Sequence, residues 1–384
     1  MKRVVWIIFV ASFASVLIER GLYFIVREAL HFSDTLNLWL ALLYGVVYVV
    51  GAVISHAVSQ RVGERRALAA AFVGQVVMLV VLTMRCTTVV AFVGTFVLAT
   101  LNGFKWPIFE SYVNAGLTPT ESFRTIGRFN LAWASAVPLA LGVEGRMIVW
   151  WDTSPFAFAA LINFVVLLLI LRFPARPTHL ADDHPERPDG ETLRRETGLL
   201  HFSRWTMLLS YICLWVITPL APGIFARLGV ETANATVFAS TADWARLAAF
   251  VALMLSAWWR GSVATIAVAF LFIPAGFFLT VLAPTVPLAV AGLVAVGFGA
   301  GLSYYASLSY AMTVKNASVE AGGGHEGFIG AGFFFGPLAG LAGTAATGAF
   351  ASAALGMVVG VGPFVVVCGG VGVALMVRKL RRRS

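Results

Sequence analysis

Long apolar stretches recur along the whole chain, and short clusters of charged or turn-forming residues separate them. We count twelve stretches, each close to the roughly 20 residues that an α-helix needs to cross a hydrocarbon core about 30 Å thick. Helices are expected because lipid offers the backbone no hydrogen-bond partner. The pattern therefore predicts an all-α polytopic membrane protein with twelve transmembrane helices.

One long polar stretch, residues 172–204, divides six predicted helices from six. We therefore expect an N-terminal six-helix bundle at 1–172, a cytoplasmic linker at 173–204, and a C-terminal six-helix bundle at 205–384 with a short basic tail. Within the linker, residues 190–200 could form a short amphipathic surface helix. The predicted helices cover residues 4–26, 37–59, 67–84, 88–112, 128–149, 154–171, 205–226, 236–259, 262–283, 286–311, 327–349 and 353–377.

Composition supports the membrane assignment. Hydrophobic residues make up 59% of the chain and charged residues 12%, with a mean hydropathy of +0.88. Ordinary soluble domains contain about 25% charged residues, so this class is excluded. The net charge of +9 could suggest a nucleic-acid partner, but that interpretation needs a basic face or stripe. The basic residues instead cluster at the ends of the apolar stretches, so we expect no nucleic-acid partner.

The positions of the 27 Lys and Arg residues predict the orientation of the chain. If the N-terminus is cytoplasmic, 20 of them lie on inner loops and helix ends, four on the outer side and three within helices. The positive-inside rule therefore places both termini in the cytoplasm. The same alternation favours twelve helices, because one missed or extra helix would exchange the sides of all later loops.

Several features recur at an offset of 199 residues, as expected if the two halves are parallel repeats. Pro138 in the fifth predicted helix corresponds to Pro337 in the eleventh. Four residues of the fourth helix correspond to four of the tenth: Asn102, Lys105, Trp106 and Phe109 to Gly301, Tyr304, Tyr305 and Leu308.

The loop after the second predicted helix carries a degenerate motif. Residues 56–66 read His-Ala-Val-Ser-Gln-Arg-Val-Gly-Glu-Arg-Arg, and the eleventh helix contains Gly332, Gly336, Pro337 and Gly340. The loop resembles the signature Gly-x-x-x-Asp-Arg-x-Gly-Arg-Arg of the major facilitator superfamily, and the glycines resemble its Gly-Pro packing motif. The loop departs from the signature at His56, Gln60 and Glu64. Six helices plus six, with a long central loop, also resemble this family.

The resemblance implies a transporter that works by alternating access of two six-helix bundles. It further implies that the first, fourth, seventh and tenth helices line a central cavity. Lys105 and Glu19 would then lie near the substrate. Lys105 could hold an anionic group of the substrate or pair with a carboxylate.

Ionisable residues inside membrane spans are costly, so each is a candidate functional residue. Glu19 and Tyr23 are four residues apart and would share a helix face, whereas Arg20 would point about 100° away. Glu19 could carry a proton, or Glu19 and Arg20 could reach the outer boundary of the membrane. Asp243 and Arg246, three residues apart, could form an ion pair that either couples transport to protons or only neutralises itself.

Polar and aromatic residues on the proposed cavity helices suit an amphipathic or sugar-like ligand, although packing explains each of them equally well. The candidate substrate-binding residues are Glu19, Tyr23, Asn102, Lys105, Trp106, Trp215, Tyr304, Tyr305 and Ser307. The candidate proton-coupling or ion-pair residues are Glu19, Arg20, Asp243 and Arg246.

Candidate gating residues lie near the cytoplasmic ends of the predicted helices. Glu110 and Arg128 flank one loop and could pair, and His325 and Glu326 follow a run of glycines that could act as a hinge. The candidate gate comprises Arg61, Gly63, Arg65, Glu110, Arg128, His325 and Glu326.

Other chemistries find little support in the sequence. No nucleotide-binding motif is visible, which argues against a primary pump. Cys86, Cys213 and Cys368 are scattered, so they predict neither a disulfide framework nor a metal site. No catalytic constellation and no metal-ligand spacing is present. We expect no enzymatic activity and no cofactor.

Together these features predict a secondary transporter for a small polar, zwitterionic or anionic metabolite, coupled to protons. Efflux of amphipathic or lipid-like compounds is an alternative, and uniport would look almost identical. A non-transporting scaffold or enzyme on the same fold is a third. We expect a monomer in the lipid bilayer, with the bacterial inner membrane as its location.

Overall fold

The computed structural model describes residues 2–113, 119–177, 190–256, 258–314, 319–350 and 352–381. Within these ranges the chain forms fourteen α-helices and no β-strand, which confirms the predicted all-α class. The helices are α1 (Lys2–Glu19), α2 (Leu22–Leu30), α3 (Asp34–Val62), α4 (Glu64–Met84), α5 (Thr88–Val113), α6 (Pro119–Trp150), α7 (Ser154–Ile170), α8 (Gly190–Arg227), α9 (Thr232–Ala239), α10 (Thr241–Leu255), α11 (Val263–Val281), α12 (Val286–Val314), α13 (Val319–Phe350) and α14 (Ala353–Arg381).

The described helices provide eleven apolar spans long enough to cross a membrane, and α7 is a shorter apolar helix. Two of the spans, Val4–Leu30 and Thr232–Leu255, are each built from two helices, α1 with α2 and α9 with α10. The chain is therefore an integral membrane protein. The count of twelve spans and the cytoplasmic position of the termini stay predictions.

The first predicted helix, residues 4–26, is interrupted in the structure. The backbone N–H groups of Arg20 and Gly21 both donate to the carbonyl of Val16, at 2.9 and 3.2 Å, so the regular hydrogen-bond ladder stops there. α2 then begins at Leu22. Hydrophobicity alone predicted one continuous helix because both sides of the break are equally apolar.

The predicted linker is also partly helical. α8 runs without interruption from Gly190 to Arg227, so residues 190–200 are its first turns and the prediction of a separate surface helix was wrong. Residues 178–189 of the linker lie outside the described residues. α13 begins at Val319, so the glycine run before His325 lies inside a helix, and its role as a hinge stays a prediction. The first turns of α8 are polar and those of α13 are glycine-rich, so hydropathy does not predict that these turns belong to the helices.

The helices form two compact units. The first contains α1 to α5, α7, α9, most of α6 and the end of α8 from Thr218; the second contains α10 to α14 and the rest of α8. The division predicted at residues 172 and 204 stays a prediction.

Small residues let helices approach closely inside each unit, as is common in membranes. A Cβ atom on Gly51 of α3 would overlap the carbonyl of Thr100 on α5, and one on Gly103 of α5 would overlap the carbonyl of Tyr48. In the second unit, a Cβ on Gly276 of α11 would lie 2.6 Å from the carbonyl oxygen of Gly292 on α12. Glycines at these positions therefore allow the helices to pack closely around the polar groups described next.

Candidate functional site

A polar network surrounds Lys105 in the interior of the first unit. Lys105 is 0% exposed, and its Nζ atom donates to Ser15 Oγ at 2.7 Å and to Gln75 Oε1 at 3.3 Å. The same ammonium group lies 5.2 Å from the ring centroid of Phe72 and 5.4 Å from that of Trp106. Two hydrogen bonds and two aromatic faces therefore compensate part of the cost of burying this cation.

The network continues from Gln75 to Glu19. Gln75 Nε2 donates to Asn102 Oδ1 at 2.9 Å, and Asn102 Nδ2 donates to the hydroxyl oxygen of Tyr44 at 3.0 Å. The Tyr44 hydroxyl in turn hydrogen-bonds Glu19, whose charge also acts on Lys105. A chain of side chains from α1, α3, α4 and α5 thus connects an ammonium group to a carboxylate.

The structure brings together three of the predicted substrate-binding residues, Glu19, Asn102 and Lys105, and places the half-buried Trp106 beside them. Four other members of this cluster were missed by the sequence analysis. They are Ser15, Tyr44, Gln75 and Asn163, whose Nδ2 lies 3.5 Å from Gln75 Oε1. Their signal was present, because each is a polar residue inside an apolar stretch.

Tyr23 and Glu19 do not share a regular helix face as predicted, because α1 ends at Glu19 and α2 begins at Leu22. Tyr23 is fully buried and remains within electrostatic reach of Glu19 and Arg20. Its hydroxyl has no hydrogen-bond partner among the described residues. The break between α1 and α2 thus changes the orientation of Tyr23 relative to Glu19, while Tyr23 stays near the charges of Glu19 and Arg20.

Glu144 of α6 is a buried carboxylate that the sequence analysis missed. It is 0% exposed and lies against the backbone of Gly21 at the break between α1 and α2. Glu144 lies inside the predicted helix at residues 128–149. The rule that marks ionisable residues in membrane spans as candidates would have found it.

An ion pair occupies the interior of the second unit. Arg246 Nη2 contacts Asp243 Oδ1 on the same helix, and their side chains are 7% and 1% exposed. Tyr211 and Tyr304 lie within electrostatic reach of the guanidinium group. The predicted spacing therefore does produce an ion pair in α10, and its role in coupling stays a proposal.

Aromatic side chains pack around this ion pair. Trp215 of α8 packs against Phe333 of α13 with ring centroids 4.1 Å apart and the rings tilted by 39°, and the ring centroids of Tyr211 and Tyr304 of α12 are 6.5 Å apart. The second unit thus contains four of the predicted substrate-binding residues, all buried: Trp215, Tyr304, Tyr305 and Ser307.

His325 joins this cluster from α13. Its Nδ1 atom lies 3.4 Å from Ser307 Oγ, and its ring meets that of Tyr304 edge-on at 4.7 Å. The Nε2 atom of His325 has no hydrogen-bond partner among the described residues. His325 was predicted as a gate residue, whereas its burial next to Ser307 and Tyr304 groups it with candidate substrate-binding residues.

The turn between α3 and α4 is fastened to residues 173–176 within the first unit. Gly63 ends α3 with φ +88°, a conformation that favours glycine, and Arg65 Nη1 donates to the carbonyl of Phe173 at 3.0 Å. Arg176 Nη2 donates back to the carbonyl of Gln60 at 3.4 Å. Arg61 is exposed. The predicted gate residues Gly63 and Arg65 therefore help to fix the conformation of the turn between α3 and α4.

The second unit contains a similar turn after α10. Gly261 has φ +71°, and its carbonyl accepts a hydrogen bond from Arg195 Nη2 at 2.7 Å. Its N–H donates to the Tyr310 hydroxyl at 3.1 Å. A glycine with positive φ and an arginine bonded to nearby backbone thus occur at one turn in each unit.

Three further predicted gate residues lie on three different helices. Glu110 is half-buried near the end of α5, Arg128 is exposed on α6, and Glu326 is half-buried on α13. Pairing between Glu110 and Arg128 stays a prediction. Among the described residues, no group of three or more His, Cys, Asp or Glu side chains could hold a metal ion.

Solved structures of transporters share this arrangement of helices. A bacterial homologue of the human lysosomal transporter Spinster, inward-facing and unoccupied, is 14% identical over 99% of this chain and 98% of its own, with a TM-score of 0.70. The nucleoside transporter NupG is 13% identical over 97% of this chain and 98% of its own, with a TM-score of 0.68. The human organic anion transporter MFSD10 is 13% identical over 98% of this chain and 99% of its own, with a TM-score of 0.61.

No protein-family model matches the sequence, and no curated protein sequence matches it either. The structural likeness nevertheless extends over essentially the whole of each chain. The chain therefore has the fold of these transporters, and the resemblance to the major facilitator superfamily in the sequence predicted a transporter fold.

Proposed function

We propose that this protein is a secondary active transporter that moves a small polar, zwitterionic or anionic metabolite by alternating access, in a bacterial inner membrane. The observation that carries the proposal is the complete burial of Lys105 in a chain of polar groups that ends at Glu19. Burying charge in a membrane protein costs stability, and such groups are typical of substrate and ion pathways. The transporter fold supports the same function.

The preference for a polar substrate rests on the charges in the two units. Lys105 offers an ammonium group to an anionic substituent, and Glu19 offers a carboxylate to a cationic one. Tyr304 and Ser307 add hydroxyl groups beside the aromatic rings of the second unit. A substrate that carries polar groups of both signs would find partners among these residues.

Coupling to protons would use Glu19 or Asp243, since both are intramembrane carboxylates beside basic partners. Binding a proton would weaken the attraction between such a carboxylate and its partner. The carboxylate could then change partners during the transport cycle.

Transport can be tested with the purified protein in proteoliposomes. A thermal-shift screen against metabolite pools would first select ligands, and counterflow would then detect transport. We expect substrate-driven pH changes from the wild type and from the control Glu231→Gln, which alters an exposed carboxylate. Glu19→Gln and Asp243→Asn should abolish the pH change and leave the protein folded.

Two outcomes would contradict this proposal. If both variants produce normal pH changes, coupling through Glu19 and Asp243 is wrong. If no metabolite pool gives counterflow, a scaffold or an enzyme on the transporter fold becomes the better interpretation, and chemical conversion of a ligand would identify the enzyme.

Efflux of amphipathic or lipid-like compounds is a second candidate function. The packing of Trp215 against Phe333 and of Tyr211 near Tyr304 favours it, because aromatic faces bind apolar parts of a ligand. Stabilisation of the protein by amphipathic compounds alone, with no response to polar metabolites, would support efflux over metabolite transport.

A further inference from the structure

Glu144 lies in an environment unlike that of the other intramembrane carboxylates. Its side chain is 0% exposed, and neither carboxylate oxygen has a hydrogen-bond partner among the described residues. Glu19, in contrast, is hydrogen-bonded by Tyr44, and Asp243 is paired with Arg246. Glu144 therefore lacks the partners that an ionised carboxylate normally has when it is buried.

The position of Glu144 is defined by two close approaches of helices. A Cβ atom on Gly21 would overlap the Glu144 carboxylate, so glycine at the break between α1 and α2 makes room for this group. The next residue of α6, Gly145, donates its N–H to Thr236 Oγ1 of α9 at 3.0 Å. Glu144 thus lies between the break that separates α1 from α2 and the helix α9.

Arg20 is the charged group that acts on Glu144 from the break between α1 and α2. The other titratable groups on that side are Glu19, next to Arg20, and the buried Tyr23; Arg27 and Glu28 follow on α2. The Glu28 carboxylate accepts a hydrogen bond from Thr232 Oγ1 at 2.7 Å.

The remaining side of Glu144 offers few charges. The residues of α9, Thr232–Ala239, include no titratable side chain. Glu231, which precedes α9, and Arg146, two residues after Glu144 on α6, are both exposed. Arg20 is therefore the ionic partner closest at hand for an ionised Glu144.

Two arrangements would satisfy a carboxyl group in this position. A protonated carboxylic acid is neutral and can stay buried at a modest cost, whereas an ionised carboxylate without a partner costs several kcal/mol. Ionisation therefore requires that Arg20 approach and pair with it. The proton that leaves the acid would pass to water on whichever side of the membrane is accessible.

We propose that Glu144 is a proton-binding site of this protein, with Arg20 as the group that replaces the proton. The proposal rests on the proposed function in one respect, since it adds Glu144 to Glu19 and Asp243 as a carboxylate that binds and releases protons in that transport cycle. Proton binding at Glu144 would be linked to the position of Arg20 at the break between α1 and α2. The interruption of the first span then has a function: it lets Arg20 move relative to α6.

The protonated acid can be observed directly in the purified, lipid-reconstituted protein. Infrared difference spectra recorded across a pH titration should contain the carbonyl band of a protonated carboxylic acid. We expect Glu144→Gln to remove this band, while Glu231→Gln, which changes an exposed carboxylate, leaves it unchanged. Retention of the band in Glu144→Gln would overturn the proposal.

A second variant keeps the proposal testable if Glu144→Gln does not fold. Arg20→Gln removes the partner of the ionised form, so the band should persist to a pH higher by about one to three units. An unchanged titration in Arg20→Gln would overturn the role of Arg20. The thermal unfolding midpoint of each variant checks that the band reports a folded protein.

Transport measurements separate this proposal from the proposed function. In Glu144→Gln, we expect counterflow of substrate to persist and accumulation driven by a pH gradient to disappear. Unchanged gradient-driven accumulation would overturn a role for Glu144 in proton coupling. The wild-type protein could show the infrared band and yet transport no compound from any metabolite pool. This result would contradict the proposed function and support the proton-binding site.

Discussion

The ammonium group of Lys105 donates to the side-chain oxygen of Gln75, 3.3 Å away in the interior of the first unit. Gln75 also donates to Asn102 at 2.9 Å and is 0% exposed. An uncharged amide thus connects a buried cation to the hydrogen-bonded chain that ends at Glu19. This connection makes Gln75, on α4, as important to the network as the charged residues.

Replacement of Gln75 should test the energetic value of this connection. Gln75→Leu leaves Lys105 and Asn102 each without one hydrogen-bond partner, and an unsatisfied buried group costs about 1–3 kcal/mol. We expect a loss of at least that amount, measured by equilibrium unfolding in mixed detergent micelles. The control Gln60→Ala changes an exposed residue of α3 and should alter stability by less than about 0.5 kcal/mol. Equal stability of both variants would contradict the structural role of Gln75.

The glycines of α13 provide a second prediction. A Cβ on Gly332 would overlap the side chain of Tyr211, and one on Gly336 would lie 2.8 Å from Trp215 Cβ and Ile212 O. Gly332→Ala and Gly336→Ala should therefore force α13 away from α8 and lower stability by about 1–3 kcal/mol.

Gly327 of the same helix is the matched control for these variants, because a Cβ there would meet nothing within 4 Å. Gly327→Ala should be neutral or slightly stabilising, since alanine favours the helix by up to about 1 kcal/mol. Thermal unfolding of the three variants in one detergent compares them. A similar effect at all three positions would mean that helix propensity, and not packing against α8, determines the outcome.

The carboxylate of Asp34 connects the start of α3 to Arg27 and Arg227, with both N–O distances 2.8 Å. The Arg227 side chain is 58% exposed, so water screens this pair. A double-mutant cycle with Asp34→Asn and Arg227→Gln should give a coupling energy of only about 0.2–1 kcal/mol. The same cycle in high salt should give a smaller coupling energy, because salt screens exposed charges. A coupling energy of several kcal/mol would show that the pair is more deeply buried in the membrane-embedded protein.

Cys86 provides a test of orientation. It lies between α4 and α5 and is half-buried, whereas Cys213 and Cys368 are buried. Burial, followed by the negative charge of Asp152, raises the pKa of the Cys86 thiol to about 11. Only the thiolate reacts, so labelling with a membrane-impermeant maleimide should accelerate about tenfold per pH unit below that pKa.

Labelling of Cys86 from the outside of whole cells would agree with the predicted topology, and labelling only from the inside would contradict it. Asp152→Asn removes a charge that disfavours the thiolate, so the variant should react faster at a given pH. Cys86→Ser is the control and should show no labelling. Mass spectrometry of the modified peptide measures all three reactions.

Much of the architecture was predictable because apolar length is a local property of the chain. Stretches such as 88–112 and 286–311 correspond to α5 and α12 within a few residues. The prediction failed at residues 4–26, where the break at Gly21 accommodates Glu144 of another helix, a contact that no local pattern contains. It failed again at 190–200, where polar residues extend α8 beyond its apolar part.

Part of the candidate site was predictable for the same reason. Charged residues in apolar stretches are rare, so Glu19, Lys105, Asp243 and Arg246 could be selected one by one. Their partners could not, apart from the Asp243–Arg246 pair, whose three-residue spacing lies within one helix turn. Gln75 and Tyr44 acquire their roles only from neighbours on other helices.

The sequence by itself therefore determined that the chain is helical and crosses a membrane, and it selected most of the buried charges. These conclusions follow from the cost of exposing backbone groups and charges to lipid, which each segment incurs alone. Only the tertiary structure decided which of those charges are satisfied. Lys105 has hydrogen-bond partners on α1 and α4, while Glu144 has none in the described part of the chain, because helix packing and not residue type brings partners within reach.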